Sequence, residues 1–328
     1  MKYYDIREYR NRWKTFNIII GARGVGKTYS ALLYLLEESD AGNEVLYLRN
    51  TDTQIQSCAT AFGNPFKAVN AKAGRNIFIK RAKEASYIYE DTGDDKKPIG
   101  YAAALSTFEN LRGVSLEDVS VILFDEFIEN RTLQFDQFRA FNSMYETINR
   151  NRELEGREPL RVFMLSNAQK LYSPILAGFG FVPIIEDMIK NNQKNYSTPE
   201  TWLSLPASSV SDAKKNTALY KALGKSEYYA EAIENKFAND NFEGIRKQKL
   251  IEYNPWIAIN DIYIYKHKSN GSYYACSVSA ANVQKYSTTL NALLLYRSVY
   301  PALSMAYATG ALTFSDFTVK SRLFEFIG

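Results

Sequence analysis

The sequence predicts an α/β fold: a mostly parallel sheet with helices packed on both faces. Three stretches carry the prediction. Residues 16–20 form an apolar run, broken only by Asn17, that passes through a glycine-rich segment at 21–28 into a helical pattern over 29–38. Residues 121–126 (VILFDE) and 160–166 (LRVFMLS) are two further apolar runs, each ending in polar residues. Continuous runs of this kind suit strands buried on both faces. Polar residues at their carboxyl ends face the crevice in which open α/β sheets bind ligands.

Taken in order, residues 1–15 (MKYYDIREYRNRWKT) mix aromatic and basic groups. They either cover the base of a nucleotide, stacking Tyr and Arg planes on it, or pack on the first strand. The next segment reads G-x-x-x-x-G-K-T from Gly21 to Thr28. Glycines there let backbone N–H groups curl around a triphosphate, and the following helix turns its positive end to the same anion. Gly21, Ala22, Arg23, Gly24, Val25, Gly26, Lys27, Thr28 and Tyr29 are therefore the nucleotide-binding candidates. Lys27 would reach the β- and γ-phosphates, and the Thr28 hydroxyl would ligate Mg²⁺. ATP and Mg²⁺ are the cofactors that this pattern calls for.

Residues 43–49 (NEVLYLR) read as a second buried strand after a helix stop at Gly42. Arg49 closes it, and either senses phosphate, contacts a polymeric substrate, or pairs with Asp52 or another acid. Strand-like residues at 76–81, 86–90 and 99–106, with a polar turn over 91–98, form a β-rich insertion. Lys67, Lys72, Arg75, Lys80, Arg81 and Lys83 gather at its start. A nucleic-acid contact and a solvated basic face both explain them.

The acidic strand follows. Asp125 lies 98 residues after Lys27 and would hold Mg²⁺ through water. Glu126 would polarise the water that attacks the γ-phosphate. A Glu beside the Asp separates hydrolases from kinase-like and GTPase-like relatives. Over 134–155, Phe135, Phe138, Phe141 and Met144 recur at helical spacing and form a core stripe. The helix leads to Arg150, while Arg112 precedes the acidic strand. An arginine at an exposed helix end can enter a neighbour's site and offset charge on the γ-phosphate; a solvated surface role explains each equally well. Asn167 ends the last of the three runs. Polar residues there, in additional-strand ATPases, lie beside the catalytic Glu and bond the attacking water or sense the γ-phosphate. A turn or cap residue is the alternative.

Farther on, residues 197–208 carry Pro and Ser and mark a boundary, and 210–238 read as two short helices around Gly224. Residues 258–265 and 272–279 alternate apolar and polar, with a hairpin turn at 268–271. Residues 290–309 are helical but interrupted by Pro301, and 311–317 are a last strand before a terminal helix.

A chain of 328 residues suits two domains, and 46% apolar content is ample for their cores. Cys58 and Cys276 make no disulfide framework, and the lone His267 cannot build a zinc site. No signal peptide or 18-residue apolar run is seen, so a soluble cytosolic protein with no membrane span is expected. Residues 1–200 carry no net charge and 201–328 carry +4. A polyanionic partner or a plain solvated surface accounts for that excess.

Assembled, these stretches resemble the small encapsidation ATPases of short-tailed phages, ring motors that pump double-stranded DNA into a preformed capsid. The resemblance is carried by residues 18–28 (IIIGARGVGKT), 121–127 (VILFDEF), 150–153 (RNRE) and 165–168 (LSNA), and it covers 16–168. It implies a phosphate-loop ATPase of the additional-strand type. Lys27 and Thr28 would serve nucleotide and Mg²⁺, Asp125 and Glu126 metal and water. Arg150 matches the trans-acting arginine, and Arg112 stands where the family has a Lys acting across the interface. The resemblance also implies a homopentameric ring at the portal vertex of the procapsid in the host cytoplasm, absent from the mature virion. The portal or a packaging RNA would receive the C-terminal domain.

The expected organisation is an ATPase domain over 1–197, a hinge or lid over 198–240, and a smaller α+β RNase H-like domain over 241–328. After residue 250 the acids are Glu252, Asp261, Asp316 and Glu325. Two-metal cleavage needs several convergent carboxylates, so the nuclease fold is expected without its activity. Arg49, Lys80 and Arg131 are the DNA-binding candidates. Tyr263, Tyr265, Tyr273 and Tyr274 either help grip nucleic acid or the portal, or simply pack a sheet. The expected function is ATP-driven translocation of DNA for genome packaging. The rivals are a terminase-like enzyme that also cuts DNA, and a nucleotide-gated ring scaffold without appreciable turnover.

Overall fold

The computed structural model describes residues 2–82, 85–93, 95–111, 114–129, 133–167, 171–206, 210, 213, 215–223, 244–288 and 292–327. The chain divides into two compact units, Met1–Gly178 with Asp187–Asn239 and Phe179–Glu186 with Asp240–Gly328.

The first unit opens with a short 3-10 segment, Ile6–Arg12, then β1 (Phe16–Gly21), α1 (Lys27–Asp40) and β2 (Glu44–Arg49). Next come α2 (Asp52–Cys58), α3 (Lys67–Ala73), β3 (Ile77–Arg81), β4 (Ser86–Asp91) and β5 (Lys96–Ala104). Then follow β6 (Val119–Asp125), α4 (Gln137–Asn149), β7 (Arg161–Asn167), α5 (Pro174–Gly178), α6 (Phe181–Lys190), whose residues Phe181–Glu186 count with the second unit, β8 (Asn195–Ser197) and β9 (Thr201–Ser204). Nine strands form one sheet in the order β3-β4-β5-β2-β6-β7-β1-β9-β8. From β5 to β9 all neighbours are parallel; the β3–β4, β4–β5 and β8–β9 pairings at the two ends are antiparallel.

Alternation along the central strands explains why helices cover both faces. Ile19, Leu123 and Phe163 join the core under α1, with Tyr34 of that helix edge-on to Phe163 at 5.2 Å. Phe16 and Phe124 point the other way, where Phe141 of α4 packs against both. Asn17 interrupts the apolar run without breaking the strand, because its buried amide donates to Lys14 O and Val162 O.

Several local expectations are corrected. Phe135 precedes the N-cap of α4, Asp136, so the buried stripe is Gln137, Phe141, Met144 and Ile148. The turn expected over 91–98 is shorter, because β5 starts at Lys96 and pairs back to Asp91. The boundary expected at 197–208 contributes β9, which pairs with β1 and buries Trp202 completely. Its Pro206 instead packs where a side chain on Gly21 would fall. Of 210–238, a helix is described at Ala218–Leu223 (α7); Gly224 and most of that stretch lie outside the described residues.

The second unit holds β10 (Tyr253–Ile259), β11 (Ile262–His267), β12 (Tyr273–Cys276), β13 (Gln284–Tyr286), α8 (Ala292–Ser298), α9 (Tyr300–Ala308), β14 (Leu312–Phe314) and α10 (Phe317–Ile327). Its sheet runs β13-β10-β11-β12-β14. The run 258–265, expected as one strand, is split by a two-residue hairpin at Asn260-Asp261, where Asn260 takes a φ of 54°. Asn tolerates that left-handed conformation, so a short polar pair suffices to reverse the chain. The helical stretch breaks at Val299, leaving Pro301 in the first turn of α9, where its missing N–H costs nothing. Tyr265 and Tyr274 are buried with Tyr253 and Cys276, and Tyr263 packs against them. Among the described residues no helix is long and apolar enough to cross a membrane.

The turn after α4 is anchored by Arg152, a buried arginine whose Nη2 donates to Glu117 O and Val119 O at the start of β6. Arg152→Ala would leave both carbonyls without that charged donor, costing about 3 kcal/mol. Calorimetry should show Tm lowered by several degrees, with nucleotide affinity unchanged.

Candidate nucleotide site

Parallel register gathers the functional side chains along one edge. Gly21 lies opposite Asn167, Asp125 opposite Leu165, Leu48 opposite Phe124, and Arg49 opposite Ala104. The carboxyl ends of β1, β2, β6 and β7 therefore open onto a common crevice, with α1 starting inside it.

The loop between β1 and α1 is curled by Gly24 (φ 71°) and Gly26 (φ 112°), conformations that side chains avoid. Gly26 is also pressed against the N-terminal segment: a Cβ there would sit 2.8 Å from Tyr4 O. That segment is stitched to the loop. Tyr4 N–H donates to Val25 O at 2.9 Å, and Ile6 N–H donates to Ser30 Oγ at 3.2 Å. It also walls the cleft. A cavity of about 530 Å³ is lined by Tyr3, Gly24, Lys27, Tyr29, Lys72 and Asn167, among others. The Lys72 ammonium lies 4.7 Å from the centre of the Tyr29 ring.

Lys27 is 5% exposed. Its ammonium donates to Gly21 O and Ala22 O, both at 2.8 Å, and to Asn167 Oδ1 at 3.3 Å. A buried ammonium needs acceptors, and these hold the charge at the floor of the loop. Asn167 thus sits on the same edge as Lys27.

The acids stand on the other side of Thr28. The Thr28 hydroxyl donates to Asp125 Oδ1 at 3.0 Å, and Tyr47 OH donates to Asp125 Oδ2 at 3.2 Å. Arg49 bridges the pair, with Nη1 3.3 Å from Asp125 Oδ2 and Nη2 2.5 Å from Glu126 Oε2. Burial pushes the Asp125 carboxyl above the usual carboxylate range, and the Arg49 guanidinium pulls against that shift. Burial likewise drives the Tyr47 hydroxyl well above the ordinary phenol value, so it stays a donor.

Glu126 lies just past β6, with a φ of 53°. Its turn is pinned by Asn50, whose Nδ2 donates to Glu126 O and Phe127 O, and by Gln137, whose Nε2 donates to Phe127 O and to Asn50 Oδ1. Those bonds offset the roughly 1–3 kcal/mol that a left-handed non-glycine residue costs. The carboxylate ends up half exposed, beside a second cavity lined by Thr28, Tyr47, Arg49, Gln54, Asp125 and Glu126. The Thr28 hydroxyl and the Asp125 carboxylate fit Mg²⁺, which takes one or two protein oxygens and otherwise keeps water and phosphate.

Other predicted residues fall elsewhere. Arg150 caps the C-terminus of α4 with φ 45° and ψ −121° and pairs with Glu117, ahead of the amino end of β6. The seven residues of β6, at about 3.3 Å each, put roughly 20 Å between it and Asp125. Arg49, a DNA-binding candidate, is turned inward and 13% exposed. Lys80 is exposed on β3, 6.0 Å from the Tyr89 ring. Arg112 and Arg131 lie outside the described residues, as does Lys83. The basic cluster is not one face: Arg75 pairs with Asp40 and Glu90, and Arg81, not Arg49, takes Asp52. In the second unit, Asp261 pairs with Arg322, and Asp316 accepts from Val319 N–H at the start of α10.

Sequence reasoning missed Tyr47, Asn50 and Gln137. Tyr47 was within reach, since it is two residues from Arg49 and shares its face of β2. Asn50 and Gln137 join through a contact 87 residues apart that no local pattern announces.

A phosphate-loop strand beside an inserted parallel strand, with Lys, Thr, Asp and Glu on their carboxyl edge, defines the additional-strand class of phosphate-loop ATPases. The chain belongs to the podovirus DNA encapsidation protein (Gp16) family, whose profile matches residues 1–274. It is 23% identical, over 352 aligned residues, to a DNA packaging protein of Bacillus phage PZA, covering 98% of this chain and 96% of the relative. Two solved structures share its fold. The Phi-28 gp11 DNA packaging motor has a TM-score of 0.65 at 17% identity, over 99% of this chain and 97% of the other. The bacteriophage Phi-29 viral genome packaging motor assembly has a TM-score of 0.64 at 20% identity, over 98% of each. DNA encapsidation is accordingly the function of the family to which this chain belongs.

Proposed function

We propose that the chain hydrolyses ATP at the carboxyl edge of its large sheet. Working as one subunit of a homopentameric ring at the procapsid portal, it would use the cycle to move double-stranded DNA inward. One observation carries the chemistry: Thr28 and Asp125 touch at 3.0 Å, with Glu126 next in the chain and Lys27 one residue before Thr28.

The loop N–H groups and Lys27 bind the phosphates. Thr28 and Asp125 would hold Mg²⁺, which when bound supplies charge neutralisation at the β- and γ-phosphate oxygens. Glu126 orients the attacking water and takes its proton on the carboxylate. Before that it must part from Arg49, whose guanidinium occupies Glu126 Oε2 in this structure. Incoming phosphate offers Arg49 another anion. Arg49 thus couples nucleotide to the base rather than gripping DNA. Arg150 acts on a neighbour's site, because its own lies too far away. Grip on DNA through exposed cations such as Lys80 would be sequence-independent and weaken with salt.

The unit built on the large sheet serves as motor, its end moved past β9, which pairs with β1; the stretch from there to 240 serves as hinge and 241–328 as the portal- or RNA-facing domain. The last is an RNase H-like fold used without cleavage. Cutting is not favoured, since Asp261 is neutralised by Arg322 and Asp316 caps a helix.

Lys27→Met tests the proposal. It removes the only ammonium within the loop motif while keeping the side chain's bulk. Nucleotide affinity should fall at least tenfold by equilibrium binding, and procapsids should stay empty in a packaging assay. Filled procapsids would overturn the reading.

A further inference from the structure

We propose that Phe62 and Leu154 form the apolar contact by which one subunit seats a neighbour's Arg150 turn over its own nucleotide cleft. The occupant of each surface is a second copy of this chain. The inference rests on the reading of Arg150 as a residue that acts between subunits.

Phe62 is 94% exposed, at the tip of the turn after α2. That turn is built to project it. Thr60 N–H donates to Ser57 O, Gly63 N–H donates to Thr60 Oγ1, and a Cβ on Gly63 would lie 2.0 Å from Ser57 O. Four residues on, Phe66 is fully buried. Gly63 and Pro65 line the cavity that holds Asp125 and Glu126, so Phe62 stands at the rim of the catalytic acids.

Leu154 is 87% exposed on the turn that follows Arg150. The turn is fixed from beneath by buried Arg152 and closed by Arg157 N–H donating to Arg152 O at 2.8 Å. Arg150 and Leu154 are thereby presented together on one rigid projection. A single exposed apolar side chain is ordinary. Here two of them flank the two halves of a site that no single subunit completes.

Within a chain the two cannot meet, because Phe62 belongs to the carboxyl edge of the sheet and Leu154 to the amino edge. A head-to-tail ring needs two different surfaces that complement each other. Charge matches them as well. Asp118, Glu146, Glu153 and Glu158 are exposed around the Arg150 turn, where Glu155 pairs with Arg157, and Lys67 and Lys72 are exposed around the cleft, where Lys2 pairs with Glu8. Opposed potentials of this kind fix register between partners.

The test places Phe62→Cys and Leu154→Cys in one full-length chain, with DNA and a slowly hydrolysed ATP analogue present, and oxidises it. The native Cys58 and Cys276 are buried. The expected result is a ladder of disulfide-linked oligomers for the double variant and none for either single variant. No ladder beyond the single-variant controls overturns the seat. Arg150→Ala protein mixed with Glu126→Gln protein separates the two failures. Turnover restored by mixing, with no ladder, leaves the intersubunit arginine standing and removes the Phe62–Leu154 contact. Neither mixing rescue nor ladder removes both.

Discussion

Glu126→Gln is expected to cut DNA-stimulated ATP turnover by about 10²–10⁴-fold while leaving nucleotide binding within a few-fold of the parent. The substitution keeps size and shape and removes only the group that can accept a proton. The backbone at this position is fixed by the Asn50 and Gln137 amides, which bind main-chain oxygens and not the Glu126 side chain. The turn should therefore survive. Phosphate and metal contacts made through Lys27, Thr28 and Asp125 are untouched, so a fluorescent nucleotide should still titrate normally. The contact from Arg49 loses its charged partner on one side only, since Asp125 still accepts from the same guanidinium. A stopped-time phosphate-release assay with and without DNA decides the matter. Turnover within a few-fold of the parent would show that another group activates the water.

How much of this was legible beforehand follows from how local each signal is. The phosphate loop, the acidic strand and Asn167 are contiguous patterns whose chemistry is written in their own residues, and the parallel register places all three on one edge. Arg49 was different. From the sequence its partner was Asp52, three residues away, or another acid; the choice of Asp125 and Glu126 depends on β2 lying beside β6. The same adjacency hides the roles of Tyr47, in a strand that otherwise reads as core, and of Asn50, just past its end. Composition misled at 197–208, where Pro and Ser bracket a strand that the main sheet recruits. At 67–83 it was right only in part: Arg75 and Arg81 pair with acids brought from α1, α2 and β4, while Lys67, Lys72 and Lys80 are exposed.

Arg150→Ala should leave an isolated subunit able to bind nucleotide yet lower turnover of the assembled ring by about 10³–10⁵-fold, the range found when an arginine that offsets γ-phosphate charge is lost. The structure makes the distinction between cis and trans sharp. Arg150 pairs with Glu117 at the amino edge of the sheet, and seven residues of β6 separate that edge from Asp125. No side chain spans such a gap, so a cis role would require the sheet itself to rearrange. Its left-handed backbone at a helix end is costly, and that cost is sustained by the buried Arg152 beneath the turn. Removing the Arg150 guanidinium keeps this anchor, so folding and Tm should be unaffected while activity collapses. Mixing gives the decisive reading. An Arg150→Ala subunit retains its own Glu126, and a Glu126→Gln neighbour retains its Arg150, so mixed rings rebuild complete sites that neither pure population has. Turnover that rises above both parents on mixing would place the arginine between subunits. Mixtures no more active than the average of the two would return Arg150 to the role of a surface partner for Glu117.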